Sequence, residues 1–294
     1  MSSHVDSHQH FWTVSNGKAL WPTPEEGSIY RDYAPTDLTP ELEFTGVGGT
    51  VLVQSDPLEL HTRELLTLAR AHDFILGVVG WLDLESLDIP NRIAELSADP
   101  KLVGLRPMIQ NIADTEWMLN PDLELAIDSM IAHDLTFDAL VRPQHLPALL
   151  KFCERYSDLR VVIDHGAKPR IRQRDFSEWA ARMRTLARET NVWCKISGLV
   201  TEAGCADPDM LKPYVDHLVD CFGPQRLLWG SDWPVCEGIC SYRAWYGIAR
   251  SLLADLSTAE CDAVFGDIAC KVYRLNSPAR ARVQSPPTPS QFYV

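Results

Sequence analysis

Near its N-terminus the chain reads Val5-Asp6-Ser7-His8-Gln9-His10, a short run that ends in two histidines. Side chains alternate between the two faces of an extended strand, so His8 and His10 point to the same side. Two imidazoles on one side can both reach a single ion, or a single polarised carbonyl group, just past the strand end. Because a His-x-His spacing also arises by chance, this interpretation needs a partner elsewhere in the chain.

A partner is present near the other end of the chain. There the sequence Leu227-Leu228-Trp229-Gly230-Ser231-Asp232-Trp233-Pro234 places a carboxylate directly after a hydrophobic run. If both runs are strands of one sheet, Asp232 can face His8 and His10.

Between these two ends, short runs rich in β-branched and apolar residues alternate with segments of helical periodicity. The predicted strands are Val5–His10, Thr50–Gln54, Ile75–Trp81, Leu102–Met108, Thr136–Val141, Arg160–His165, Val192–Ser197 and Leu227–Ser231. The predicted helices are His61–His72, Ile89–Leu96, Asp122–His133, Leu146–Arg155, Phe176–Glu189, Met210–Cys221, Tyr242–Leu253 and Ser257–Phe265.

Strands that alternate with helices indicate right-handed βαβ units and a parallel sheet. Eight such units in 294 residues predict a (β/α)8 barrel, whose catalytic groups lie at the C-terminal ends of the strands. The alternative is an open doubly wound sheet, but the chain lacks the glycine-rich phosphate loop expected after its first strand.

Composition narrows the classes of function. A formal net charge of -13 disfavours nucleic acids and anionic membrane surfaces as partners, because both require basic patches. No run approaches the roughly 20 apolar residues of a membrane span, and the start of the chain lacks the apolar core of a signal peptide. The eight cysteines show no zinc-finger spacing and are expected to be reduced thiols. These features predict a cytoplasmic enzyme.

The chain shows no internal domain boundary. We expect one catalytic domain over residues 1–276 and a proline-rich tail over residues 277–294. The segment from Phe11 to Pro40 is predicted as a long first connection, of the kind that usually forms a lid or a binding loop.

Six motifs in combination resemble the amidohydrolase superfamily and, more narrowly, its sugar-lactonase branch, which is related to 2-pyrone-4,6-dicarboxylate lactonase. The motifs are Val5–Trp12, Ile29–Tyr33, Gly104–Arg106, Ile163–Pro169, Lys195–Leu199 and Trp229–Pro234. The resemblance runs from about residue 4 to about residue 275. It implies a (β/α)8 hydrolase of cyclic esters that acts on a sugar lactone, L-fuconolactone or a close relative such as L-galactonolactone.

The wider superfamily also contains two-metal enzymes, from which this chain departs. Those enzymes carry a bridging lysine or acid on strand four and a histidine at the end of strand five, whereas strand four here offers Arg106. At most one divalent ion is therefore expected, held by His8, His10 and Asp232 with His165 as a further ligand. Zinc suits imidazole and carboxylate ligands best, but some lactonases of this branch work without a metal, so the ion need not be essential.

Lactone hydrolysis requires a base for the attacking water and positive charge beside the carbonyl oxygen. Asp232 is the candidate base, with a helix cap or an arginine partner as its structural alternative. Arg106 is the candidate electrophile if no metal acts, and His165 can ligate a metal, donate to the oxyanion or protonate the leaving group. Lys168 and Lys195 are weaker candidates, each equally well explained as an ordinary ion-paired lysine.

Substrate-binding residues are predicted from aromatic and polar side chains in or beside the C-terminal loops. They are Trp12, Trp21, Tyr30, Gln54, Trp81, Lys168 and Trp233. Core packing explains any single aromatic residue among them equally well.

Two further hypotheses remain open. One is a nonoxidative decarboxylase of an aromatic carboxylic acid on the same barrel, which requires a firmly bound metal. The other is a catalytically silent barrel that binds a ligand, against which the presence of all four residues His8, His10, His165 and Asp232 argues. Nothing in the sequence specifies the oligomeric state.

Overall fold

The structure, a computed structural model, describes residues 4–17 and 19–276. The tail predicted over residues 277–294 lies outside the described residues. Within the described part of the chain, no helix is long and apolar enough to cross a membrane.

Eight parallel strands follow one another around a single sheet in chain order. They are β1 (His4–Gln9), β2 (Val47–Val53), β3 (Ile75–Gly80), β4 (Leu102–Leu105), β5 (Thr136–Ala139), β6 (Arg160–Ile163), β7 (Trp193–Ile196) and β8 (Leu227–Trp229). The segment after β8 returns to β1, because the Asp232 amide donates to the His8 carbonyl at 2.8 Å and the His10 amide to the Trp233 carbonyl at 2.7 Å. The predicted (β/α)8 barrel is confirmed.

Helices form the outer layer of the barrel. They are α1 (Pro35–Thr45), α2 (Glu59–Ala71), α3 (Ile89–Ser97), α4 (Glu124–Ala132), α5 (Leu146–Arg155), α6 (Ser177–Glu189), α7 (Leu199–Ala203), α8 (Pro208–Phe222), α9 (Tyr242–Leu252), α10 (Thr258–Asp262) and α11 (Ile268–Tyr273). Their apolar stripes face the sheet, as in α5, where Leu149 and Phe152 are completely buried. α11 packs against strand residues such as Val5 and Val103, at the end of the barrel away from His8.

The first connection is shorter than the sequence predicted. We predicted it to extend to Pro40, but α1 begins at Pro35 and includes Pro40 in its interior. Proline is well suited to the first turn of a helix, where its missing N–H has no intrahelical partner, and Gly46 ends the helix with a φ of 73°. Residues 11–34, here called the first loop, therefore lead from β1 into a helix.

Candidate active site

The two histidines of β1 meet the aspartate that follows β8 at the C-terminal end of the barrel. His8 Nε2 lies 3.2 Å from His10 Nε2. Asp232 Oδ1 lies 3.3 Å from His10 Nε2 and 3.7 Å from His8 Nε2. All three side chains are buried. We call these residues the histidine–aspartate cluster.

A third histidine faces the same carboxylate. His165 follows β6, and its Nε2 lies 4.0 Å from Asp232 Oδ1. Its Nδ1 lies 2.9 Å from the Ser197 hydroxyl, which fixes the ring from the end of β7. A Cβ on Gly198 would lie 2.7 Å from this Nδ1, so only glycine leaves room for the ring.

Arg106 closes the cluster on the side of β4. Its Nη1 lies 3.5 Å from His8 Nε2 and 3.5 Å from Asp164 Oδ2. Its Nη2 donates to the Gln54 backbone carbonyl, and the Gln54 side-chain amide donates to the Arg106 backbone carbonyl at 2.9 Å. The guanidinium group is therefore held beside the histidines by the end of β2, and Gln54 serves as its anchor.

A buried charged group lies beneath the cluster inside the barrel. Lys195 Nζ is 2.6 Å from Asp138 Oδ2, 2.9 Å from Asp164 Oδ1 and 3.1 Å from His8 Nδ1. The Tyr273 hydroxyl of α11 donates to Asp138 Oδ2 at 2.7 Å. All of these side chains are almost completely inaccessible to solvent.

This buried charged group was not predicted from the sequence. From the sequence, Lys195 is only a weak candidate, and the positions of Asp138 and Asp164 beneath the cluster were not predicted. A lysine inside the apolar run Val192-Trp193-Cys194-Lys195-Ile196 was the available signal, because an ammonium group in a buried strand needs carboxylate partners.

Asp6 joins β1 to the segment after β8. Its Oδ1 accepts hydrogen bonds from the Ser231 amide at 2.8 Å and the His8 amide at 3.1 Å. Burial raises the pKa of Asp6 to about 6. The two backbone segments that carry His8 and Asp232 are thus fastened to one carboxyl group.

Burial determines the protonation states in the site. It lowers the pKa of His8 well below its ordinary value, lowers the pKa of His10, and lowers the pKa of His165 to about 4. Burial alone would raise the pKa of Asp232, but the neighbouring imidazoles of His165, His10 and His8 outweigh it and hold that pKa below its ordinary range. At neutral pH the site therefore contains a carboxylate among neutral imidazoles.

The predicted aromatic residues divide into buried and exposed ones. Trp12 is buried, donates to the Arg31 carbonyl at 2.8 Å, and has its ring centre 6.3 Å from that of His10. Trp233 is buried too, and its indole donates to Glu237 at 2.9 Å. Tyr30 is 42% exposed. Packing within the protein thus accounts for most of the contacts of Trp12 and Trp233.

The remaining predicted substrate-binding residues lie in the first loop, after β3 and after β6. Trp21 is half-buried and donates to Glu26 at 2.9 Å. Trp81 follows β3, and its backbone amide donates to the Thr62 hydroxyl oxygen at 2.8 Å. Lys168 lies 3.6 Å from Glu202 in a partly exposed ion pair. Their contact with a substrate remains a prediction.

Asp56, which follows β2, holds the first loop. Its carboxylate accepts hydrogen bonds from the amides of Leu20 at 3.1 Å and Trp21 at 3.0 Å. A cavity of about 360 Å³ lies between the first loop and α2. Its lining includes Trp12, Asp56 and Glu64 but, among the described residues, no lysine or arginine.

The histidine–aspartate cluster fits a single divalent ion. Ligand atoms bound at about 2.1 Å in a tetrahedral arrangement lie about 3.4 Å apart, and the three separations in the cluster are 3.2, 3.3 and 3.7 Å. His10 Nδ1 lies 2.8 Å from the Val53 carbonyl, which only accepts, so its Nε2 presents a lone pair to the cluster. His8, Asp164 and His165 form a second possible ligand group among the described residues, but it shares His8 with the first.

Known proteins resemble this chain in sequence and in fold along almost its whole length. The sequence profile of the family described as amidohydrolase matches residues 5–275. An L-fucono-1,5-lactonase of Burkholderia ambifaria is 48% identical over 285 residues, covering 95% of this chain and 98% of that protein. An L-fucono-1,5-lactonase of Burkholderia multivorans is 36% identical over 292 residues, covering 95% and 98%. A crystal structure of a Burkholderia multivorans amidohydrolase with bound zinc matches with a TM-score of 0.88 and 35% identity, covering 93% of this chain and 99% of that one. The family and the cluster together support a divalent metal site.

Proposed function

The chain belongs to the amidohydrolase family, and from that membership we propose that it is a lactone hydrolase that opens L-fucono-1,5-lactone, or a close relative such as L-galactonolactone, to the aldonic acid. The similarity to two L-fucono-1,5-lactonases along almost the whole chain supports the substrate. The observation that carries the chemistry is the carboxylate of Asp232 within 4.0 Å of three histidines at the barrel mouth.

Asp232 is the proposed general base. It is ionised at neutral pH, because the surrounding imidazoles hold its pKa below the ordinary range. The water oxygen bonds to the lactone carbonyl carbon while Asp232 takes the proton. Since the carboxylate is buried, few other waters compete for it.

The negative charge that forms on the carbonyl oxygen requires a cation nearby. Arg106 supplies one, because its guanidinium group lies 3.5 Å from His8 Nε2 and is fixed by the Gln54 carbonyl. When the tetrahedral intermediate collapses, the bond from the carbonyl carbon to the ring oxygen breaks. The resulting alkoxide needs a proton, and His165 lies where it can pass on the one that Asp232 accepted.

We propose zinc as the divalent ion, held by His8, His10 and Asp232 with His165 as a further ligand. When bound, zinc polarises the lactone carbonyl as a Lewis acid, which adds to the charge that Arg106 supplies. The nitrogen and oxygen ligands of the cluster are those that zinc prefers.

The two L-fucono-1,5-lactonases support an uncharged polyhydroxy ring, rather than a dicarboxylate, as the substrate. We further propose that residues 1–276 form one catalytic domain that works in the cytoplasm, and the match of the amidohydrolase family over residues 5–275 supports a single domain.

The test is an acid-release assay with a pH indicator. We expect L-fucono-1,5-lactone and L-galactonolactone to be hydrolysed well above the spontaneous rate, and 2-pyrone-4,6-dicarboxylate to be hydrolysed much more slowly. The Asp232→Asn variant is the matched control for spontaneous opening. Carbon dioxide release from an aromatic carboxylic acid, without hydrolysis of any lactone, would instead support the decarboxylase.

A further inference from the structure

Lys195 contacts His8 at the nitrogen that faces away from the other members of the cluster. Its ammonium group carries three N–H donors and no acceptor. Its three neighbours are the carboxylates of Asp138 and Asp164, at 2.6 and 2.9 Å, and His8 Nδ1, at 3.1 Å. Both carboxylates and the ammonium group are completely buried, so no solvent competes for these donors.

The charges of the buried group beneath the cluster, together with Arg106, are balanced when Lys195 is an ammonium ion. Asp138 and Asp164 contribute two negative charges, and Lys195 and Arg106 contribute two positive ones, with Arg106 Nη1 3.5 Å from Asp164. A buried carboxylate without a cation is strongly unfavourable. Lys195 therefore acts as a donor toward His8.

The proton on His10 is fixed independently. His10 Nδ1 lies 2.8 Å from the Val53 carbonyl oxygen, which can only accept a hydrogen bond. Neutral His10 accordingly carries its proton on Nδ1 and presents a lone pair on Nε2. That lone pair faces His8 Nε2 at 3.2 Å.

These contacts distinguish between the two tautomers of neutral His8. With the proton on Nε2, His8 Nδ1 accepts from Lys195 at 3.1 Å and Nε2 donates to His10 at 3.2 Å. With the proton on Nδ1, the first contact joins two donors and the second joins two lone pairs. Only the longer contacts, 3.4 Å to Asp164 and 3.5 Å to Arg106, would then be matched.

We propose that Lys195 is a positioning residue that holds His8 in the tautomer with the proton on Nε2, the nitrogen that faces His10 and Asp232. It rests on the proposed function in one respect, that His8 lies in the site where the lactone reacts. It adds a donor N–H at the point where the lactone carbonyl is expected to be polarised.

The same contact opposes metal binding through His8. A divalent ion needs the lone pair of Nε2, so the proton has to move to Nδ1, where Asp164 Oδ1 at 3.4 Å is the acceptor. Lys195 must then turn its donor away from Nδ1. Removal of Lys195 should therefore strengthen metal binding, whereas loss of an ordinary supporting residue weakens it.

The tautomer can be measured directly in the wild-type full-length chain. Nitrogen-15 NMR of histidine-labelled protein distinguishes protonated from unprotonated ring nitrogens, and the His8 signals are those missing from His8→Gln. After chelator treatment we expect the proton of His8 on Nε2, and after zinc addition on Nδ1. A proton on Nδ1 in the chelator-treated protein would overturn the proposal.

The second measurement is zinc affinity, by competition with a chromophoric chelator. The double variant Lys195→Met/Asp138→Asn removes one cation and one anion, so the interior stays balanced. We expect it to bind zinc at least about tenfold more tightly than the wild type, the range typical of groups that hold metal ligands. The control Lys212→Met/Asp216→Asn, which removes a surface pair 2.8 Å apart, should leave zinc affinity unchanged.

Unchanged or weaker zinc binding in the Lys195 variant would contradict the proposal. Neither the NMR spectrum nor the zinc affinity depends on the identity of the lactone. A protein that shows the expected tautomer but hydrolyses no lactone would therefore refute the proposed function alone.

Discussion

Two residues of the site adopt a backbone conformation that non-glycine residues rarely use. His165 has a φ of 53° and Asp232 a φ of 55°. Left-handed conformations of this kind cost free energy and occur preferentially at functional sites, where the surrounding structure holds them. Here both residues lie directly beyond strand ends, and the conformation turns their side chains toward each other across the barrel mouth.

The first prediction concerns the base. Asp232→Asn keeps the size of the side chain but removes its ability to take a proton, so kcat on the best lactone should fall by about 10²–10⁴. Initial rates measure this, and in protein treated with a chelator an unreactive aldonate should still bind almost as tightly. A variant that keeps more than about a tenth of the wild-type kcat would remove Asp232 from the mechanism.

The second prediction tests the position of His165 through its neighbour Gly198. An alanine Cβ at Gly198, where φ is 64°, would lie 2.7 Å from His165 Nδ1 and push the ring away from Ser197. Gly198→Ala should therefore lower both kcat and the melting temperature.

Gly223 provides the matched control. It also has a φ of 64°, with a ψ of 163° that is nearly exclusive to glycine, and nothing lies within 4 Å of an added Cβ. Gly223→Ala should lose at least as much stability while it keeps its kcat. Equal losses of kcat in the two variants would show that backbone strain, not the displacement of His165, limits activity.

At the scale of the elements, all eight strands were predictable and three helices were not. Each predicted strand overlaps a strand of the barrel, because buried parallel strands are continuous apolar runs. α1 was not predicted, because the segment up to Pro40 was assigned to the first connection. α7 and α11 have five and six residues, too few for a helical period to show in the sequence.

The third prediction concerns the first loop as an element. Asp56→Ala removes the acceptor of the Leu20 and Trp21 amides and leaves donors unpaired, which costs about 1–3 kcal/mol locally. If the first loop helps to enclose the lactone, KM should rise at least about fivefold with a smaller change in kcat. Limited proteolysis within residues 11–34 should become faster.

Asp32→Ala is the control for this variant. Asp32 also accepts two backbone amides, those of Val14 and Ser15, but both lie within the first loop itself. Loss of these bonds leaves the attachment to β2 intact, so KM should change less. Equal KM values in the Asp56 variant and the wild type would show that the loop does not contribute to lactone binding.

At the scale of the whole molecule, the barrel encloses charge as well as apolar side chains. The carboxylates of Asp138 and Asp164 share Lys195 in the interior, and Tyr273 of α11 donates to Asp138 from the opposite end of the barrel. Burial alone would lower the pKa of Lys195, but these two carboxylates outweigh it and raise that pKa. These contacts join β5, β7, the residue after β6 and α11 beneath the site.

The fourth prediction is the metal content of the folded chain. The two possible ligand groups among the described residues share His8, and the Lys195 ammonium group lies 2.9 Å from Asp164, where it repels a second cation. Protein supplied with excess zinc and then dialysed should hold at most one equivalent by elemental analysis. Two tightly held equivalents would refute this interpretation of the site. His10→Asn should lower the zinc content below that of the wild type.

Sequence alone determined the order of eight strands and the presence of His8, His10, His165 and Asp232 at strand ends. Strand runs and the two-residue period are local properties, and the parallel barrel brings every strand's C-terminal end to one face. The predicted cluster followed from these two facts together. Its catalytic roles and its substrate-binding residues remain predictions.

Only the tertiary structure decided which groups contact the cluster. Lys195 lies on β7, Asp138 on β5 and Asp164 directly after β6, and Asp56 contacts residues of the first loop 35 and 36 positions away in sequence. Such contacts depend on how far each strand extends and which face its side chains take when the barrel closes. No local pattern carries that information, because charged side chains are stable inside the barrel only when partners from distant strands arrive together.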